Sequence, residues 1–195
     1  EIQSFGHLAF DHLDSLFYRF KFYGNFLTLQ LNRLIYNNLA ANRVSLVMLM
    51  SIVYIALGFA AMELSGWFIH KYLMHGPLWM IHKTHHQPSH SFFEWNDLFS
   101  LLFGSIAMVL IFFGVDNLDY RFWMGVGISL YGMLYFVLHD VLVHRRLRWF
   151  SKPKHPVLKG IYKAHQAHHK TNQKEDAVSF GLFLVPKQFF NQEEQ

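Results

Sequence analysis

Residues 44–75 read VSLVMLMSIVYIALGFAAMELSGWFIHKYLMH, an apolar run that ends on two histidines. A helix that crosses the hydrocarbon core of a bilayer needs about 20 consecutive apolar residues. Val44–Ile69 supplies that length with Glu63 as its single charge. Leu98–Val115 and Phe122–Leu138 are two further apolar stretches without a charged residue, joined only by Asp116–Arg121. So short a link makes them a helical hairpin, and Tyr and Trp near the ends of the third stretch suit a membrane interface. None of the three has the polar face of a soluble amphipathic helix. The expected fold is therefore all-α: an integral-membrane helical bundle of three or four transmembrane helices.

Working outward, residues 1–43 are polar-aromatic. Ser15–Tyr36 mixes Phe, Leu and Tyr with Arg19, Lys21 and Arg33, a pattern that fits an amphipathic helix on the membrane surface. The expected organisation is an N-terminal segment 1–43, a membrane domain 44–186 and a short polar tail 187–195. Composition agrees with a bilayer as solvent: 52% of the 195 residues are hydrophobic and 15% charged, against about 25% charged in soluble domains. Lysine and arginine set the orientation. The hairpin link holds Arg121 against Asp116 and Asp119. The opposite side holds Lys71, Lys83, Arg145, Arg146, Arg148, Lys152, Lys154, Lys159, Lys163 and Lys170, and is expected to be cytoplasmic. Three spans then place the N-terminus on the far side, which Arg19, Lys21, Arg33 and Arg43 oppose weakly.

Cysteine is absent. That excludes a disulfide framework, thiolate zinc and cysteine-held iron–sulfur clusters. Histidine, by contrast, occurs 14 times, and ten of these form a repeat. The first half reads His70-Lys-Tyr-Leu-Met-His75 and His82-Lys-Thr-His85-His86. The second reads His139-Asp-Val-Leu-Val-His144 and His165-Gln-Ala-His168-His169. Each half is H-x4-H followed by H-x2-HH. On an α-helix the three imidazoles of H-x2-HH share a face. Those of H-x4-H lie about 140° apart and straddle the helix. The first span ends at His70 and the third at His139, so both H-x4-H motifs sit at the same membrane surface. All ten imidazoles are expected to converge there as a His-rich metal cap on the cytoplasmic side. His7, His12, His90 and His155 fall outside the repeat and are read as ordinary histidines.

Neutral imidazole suits zinc, copper, iron and nickel. One zinc takes four ligands, whereas ten histidines match two metals of coordination number five or six. Two adjacent metals with open positions suit oxygen activation at iron, and zinc can take its place in a purified sample. Nearby carboxylates and amides are candidates for holding the imidazoles in orientation. They are Glu63, two turns before His70 and inside the membrane, together with Asp140, Glu94, Asn96 and Asp97. Asn96 or Asp97 would otherwise cap the second span.

These motifs resemble the β-carotene 3-hydroxylase family, within the fatty-acid hydroxylase superfamily of membrane di-iron enzymes. The likeness runs through Met62-Glu63, His70-Lys71-Tyr72, Met74-His75-Gly76, Trp79 to His82, His85-His86-Gln-Pro88, Phe93-Glu94 and Asn96-Asp97. It resumes at Tyr131-Gly132, Tyr135-Phe136, His139-Asp140, Val143-His144, Ala164-His165, His168-His169 and Ser179-Phe180-Gly181. The four-motif order separates it from membrane desaturases, which usually show three histidine boxes. The resemblance implies a monooxygenase of carotenoid biosynthesis that hydroxylates β-ionone rings at carbon 3, taking β-carotene through β-cryptoxanthin to zeaxanthin. It implies two iron ions, dioxygen as co-substrate, and a carotenoid that enters from membrane lipid. It also implies an external electron donor such as ferredoxin with its reductase, since no flavin or nicotinamide motif is present. Nucleic acid is not an expected partner. Gly104, Gly125, Gly127 and Gly132 are the small residues expected to open a substrate groove or pack helices closely. The rival readings are a fatty-acid or sterol hydroxylase or desaturase on the same scaffold and, from another class, a membrane metal-binding or transport protein.

Overall fold

The computed structural model describes the backbone of residues 2–87, 93–147, 149–171 and 173–191, and side chains from residue 27 onward within those ranges. The side chains of His7, His12, Arg19 and Lys21 are not described, and His90, Arg148 and residues 192–195 of the expected tail lie outside the described residues. The chain divides into two units, 1–50 and 51–195. No strand occurs among the described residues.

Helix α1 (Ile2–Phe68) is followed by a π-helical segment, π1 (Ile69–Met74), and by the single turn α2 (Trp79–His82). Helices α3 (Asp97–Gly114) and α4 (Tyr120–Tyr135) form the hairpin, and α4 continues as π2 (Phe136–Val143). An amphipathic α5 (Pro156–His168) and a 3₁₀ turn (Lys187–Phe189) complete the order. Three stretches are long and apolar enough to cross a membrane: Leu27–Met74, Asp97–Gly114 and Tyr120–Val143. The helix that carries the first begins well before Val44, so the 43/44 boundary expected from sequence falls inside α1.

Within residues 51–195 the apolar surface is turned outward. On α3, Leu101, Met108 and Phe112 are 67%, 69% and 70% exposed. Soluble proteins rarely carry contiguous apolar patches of this kind, and side chains facing lipid account for it. Glycine lets the helices approach. A Cβ at Gly58 would run into the Met124 carbonyl, and one at Gly127 into that of Ile55. Gly114 meets the Phe122 backbone, and Gly125 meets Ile111 and the Ala107 carbonyl. Dispersion at such close contacts drives helix association where lipid removes the hydrophobic term. At the hairpin, Asp119 caps α4 by accepting from Arg121 N–H at 2.9 Å. The core near the functional end gathers Met62, Tyr131, Ile161 and Leu182.

Candidate metal centre

The two H-x4-H motifs do not straddle α-helices. Each occupies a π-helical segment closed by an i→i+5 bond, from His75 N–H to the His70 carbonyl at 3.1 Å and from His144 N–H to the His139 carbonyl at 2.9 Å. Widening the turn brings residues five apart back onto one face, so both imidazoles of a pair point the same way. Such insertions cluster at functional sites. In the H-x2-HH motifs, His82 ends α2 with His85 and His86 in the following turn, while His165 and His168 close α5 and His169 caps it. Pro156 at the first position of α5 starts that helix without sacrificing a hydrogen bond.

These segments gather the repeat into two sets. His70, His75, His82, His86 and His168 offer nitrogens that all lie within 4.8 Å of one another, and so do His85, His144, His165 and His169. His139 falls outside that limit but stands beside the second set. Its Nε2 is 3.3 Å from His85 Nε2, and its ring centroid is 4.5 Å from His144 and 4.6 Å from His165. Exposed His155, at the start of α5, joins neither set.

The rings are oriented from behind. In seven of the ten, Nδ1 faces an oxygen acceptor. His70 donates to Phe180 O at 2.8 Å, His75 to Lys174 O at 3.0 Å, His86 to Thr171 O at 3.0 Å and His168 to Val178 O at 3.0 Å. His82 donates to Asn96 Oδ1 at 3.0 Å, His85 to Glu94 Oε2 at 2.7 Å and His139 to Asp140 Oδ1 at 2.8 Å. A neutral imidazole that donates through Nδ1 carries a lone pair on Nε2. Those lone pairs meet head on: Nε2 atoms are 3.0 Å apart in His70–His82 and 3.1 Å apart in His75–His168 and His82–His86. With no proton between them such contacts repel, and a cation in their midst removes the repulsion. The spacing fits one, since nitrogens about 2.1 Å from a shared metal and at right angles lie about 3.0 Å apart. His169 Nε2 is buried with no hydrogen-bond partner, as a nitrogen reserved for a metal would be.

Electrostatics keep the donors neutral. Burial is the main cause, lowering His86 and His144 to about 4 and His82 and His168 to about 3. Burial and the neighbouring imidazoles also hold His85, His165 and His169 far below the usual histidine range. The sign for stability follows. An unfolded chain takes up protons near pH 6.5 while the folded one does not, so this contribution is complete above 6.5 and is lost as pH falls toward 4 and 3. Metal-free protein in detergent is expected to melt at a lower temperature at pH 5 than at pH 7. A melting temperature that is flat or rises on acidification would contradict the burial of these rings.

The oxygen groups singled out from sequence separate by what they touch. Glu94, Asn96 and Asp140 meet imidazoles directly. Asp97 meets none; it accepts Glu94 N–H at 3.0 Å and pairs with Arg146 at 2.8 Å. Asn96 stands at the N-cap of α3 without a side-chain capping bond. Glu63 differs from the expectation that it would hold a ligand imidazole. Its acceptors are taken by the Tyr131 hydroxyl at 2.8 Å and by the amides of Phe183 and Leu184 at 2.9 and 2.7 Å. Sequence reasoning missed Arg146, counted there among the basic flank. It is largely buried and bridges Asp97, Glu94 (3.4 Å) and Asp140 (3.9 Å). Its position two residues after His144 was the one available signal. Burial raises the Glu94 carboxyl, and Arg146 opposes that rise.

A cavity leads to the rings from the membrane side. Phe99, Ser100, Phe103, Gly104 and Ala107 form one wall and Ile128, Gly132, Tyr135 and Phe136 another, with Met62 and Gly66 of α1 behind. His70, His82, His85, His139 and His165 also line it. The Tyr135 hydroxyl is 3.2 Å from His139 Nε2. Gly104 and Gly132 are exposed, and each has open space where a Cβ would stand.

A family profile described as fatty acid hydroxylase matches residues 55–189. The "Beta-carotene hydroxylase" of Pseudescherichia vulneris is 40% identical over 140 residues, covering 72% of this chain and 80% of that protein. The protein of the same name from Pantoea ananas is 41% identical over 125 residues, or 64% and 71% of the two chains. "Beta-carotene 3-hydroxylase 2, chloroplastic" of Arabidopsis thaliana is 36% identical over 135 residues, or 66% and 44%. No solved structure matches the chain.

Proposed function

The chain belongs to the fatty acid hydroxylase family, and from that premise we propose that it hydroxylates carotenoid β-ionone rings at carbon 3. The product series is β-cryptoxanthin and then zeaxanthin from β-carotene. The observation that carries the proposal is the meeting of two histidine sets with an apolar cavity whose glycine-lined edge is exposed among lipid-facing helices. Similarity to hydroxylases from bacteria and plants bearing that name selects the substrate class.

In this reading His70, His75, His82, His86 and His168 hold one iron ion, and His85, His139, His144, His165 and His169 hold the other. When bound, the pair supplies activation of dioxygen for inserting one oxygen atom into a ring C–H bond. The chain's own residues do the rest. Phe99, Phe103, Ile128 and Phe136 bind the apolar ring and keep bulk water away from the imidazoles. The two walls fix which carbon faces the rings, and positioning of that kind removes much of the entropic part of a barrier. Backbone carbonyls, Asn96, Glu94 and Asp140 hold Nδ1 protons, so that every oriented ring presents Nε2 inward.

Electrons come from a separate carrier, a ferredoxin with its reductase, since the sequence shows no flavin or nicotinamide motif and no cysteine for an iron–sulfur cluster. The positive-inside bias of the basic flank supports a cytoplasmic metal side, and this reading takes 44–186 as the hydroxylase domain. The same flank attracts an acidic carrier. The sets sit at the ends of the first and third spans rather than at mid-membrane, where transporters place ligands, and this disfavours the transport reading.

Expression in cells that accumulate β-carotene, with iron and a ferredoxin system present, should convert the pigment to zeaxanthin with β-cryptoxanthin as the intermediate. Unchanged pigment alongside oxidised fatty acids or sterols would move the assignment to another lipid on the same scaffold.

A further inference from the structure

The two histidine sets are oriented by different parts of the chain. Four members of the first set, His70, His75, His86 and His168, donate to main-chain carbonyls of one strap at Phe180, Lys174, Thr171 and Val178. Among the described residues no strap carbonyl accepts from the second set. That set leans on Glu94 and Asp140, with Arg146 between them. One set is thus backed mainly by neutral backbone oxygens and the other by carboxylates.

Apolar packing holds the far end of the strap, where Leu182 joins the core and Phe183 meets Phe59 and Tyr131, and the stretch before it is more open. Lys174 and Glu175 are exposed, and Ser179, between two of the carbonyl contributors, is bent into the left-handed region at φ 63°. Its anchor lies inside the membrane span. Glu63 is 7% exposed, and its Oε1 accepts both the Phe183 and the Leu184 amides. Its Oε2 accepts the Tyr131 hydroxyl, which fixes the carboxylate against α4. Gly181 lies so close that a Cβ there would meet Glu63 Oε1 at 2.5 Å. A carboxylate is costly at this depth, and three hydrogen bonds engage both its oxygens.

We propose that Glu63 is a positioning residue that pins the strap and thereby builds one metal set, while the other set is built independently of it. Glu63 touches no imidazole; it acts through the amides of residues 183 and 184 and, beyond them, through the strap carbonyls. The inference rests on the two-metal reading given above. It adds that the metals are separable, with the strap-backed ion lost first when the anchor fails.

The test counts metal per purified, iron-loaded chain, with protease sensitivity of the strap as a second readout. Glu63→Leu removes every acceptor and should hold one ion where the unsubstituted protein holds two, with faster cleavage after Lys174. Glu63→Gln keeps an Oε1 acceptor for both amides and should retain two ions. Combining Glu63→Leu with His168→Ala should cost no further metal, whereas combining it with His85→Ala should leave none. Should Glu63→Leu fail to fold, Gly181→Ala displaces the strap from the same carboxylate and should give the same single-ion result. A folded Glu63→Leu or Gly181→Ala chain that keeps two ions, or loses both, overturns the proposal. Fewer than two ions in the unsubstituted chain instead overturns the two-metal reading on which it stands.

Discussion

His168→Ala and His85→Ala should each lower ring hydroxylation by about 100-fold or more, and each should reduce bound metal from two ions toward one. The two residues belong to different sets, so the pair tests both. His168 is fully buried, its Nε2 is 3.1 Å from that of His75 and its Nδ1 is held by Val178 O. His85 occupies the corresponding place in the second set, between Glu94 and His139. Alanine at either position removes a donor that no neighbouring side chain replaces, and it leaves the remaining lone pairs without a complete cation site. Product formation in a carotene-accumulating host and metal analysis of the purified variants are the readouts. Full activity with two ions in either variant would remove that residue from the ligand set.

Gly132→Leu and Gly104→Leu should lower turnover of β-carotene by at least about 10-fold while leaving metal content unchanged. Both glycines line the cavity, and both have room for a side chain. The added bulk therefore fills substrate space rather than breaking a helix contact. Gly127 and Gly125 behave differently, because a Cβ there meets the backbone of a neighbouring helix and any loss would come from disrupted packing. The contrast separates a substrate path from a packing seam. Unaltered turnover in both Gly104→Leu and Gly132→Leu would mean that the substrate does not enter between these walls.

The spans, their hairpin and the clustering of the ten histidines were legible in the sequence because they depend on composition and order. What escaped depends on hydrogen bonds that leave no side-chain signature. H-x4-H reads as a straddling pair on an α-helix, and only the i→i+5 bonds at His75 and His144 turn each pair onto one face. The strap that orients four rings does so through main-chain carbonyls, which any residue could supply. Glu63 was recognisable as an unusual buried acid. Its partners, 120 and 121 residues away, were not. Arg146 was hidden among basic residues that share its sign but not its burial, and the four glycines divided into two roles that spacing could not distinguish.

Metal analysis of the purified, unsubstituted protein, counting iron and zinc together, tests the central claim most directly. Two ions per chain is the predicted result, with both removed by a strong chelator and restored by ferrous iron. One ion per chain, or none after ferrous loading of folded protein, would contradict a pair of metals held by the ten imidazoles.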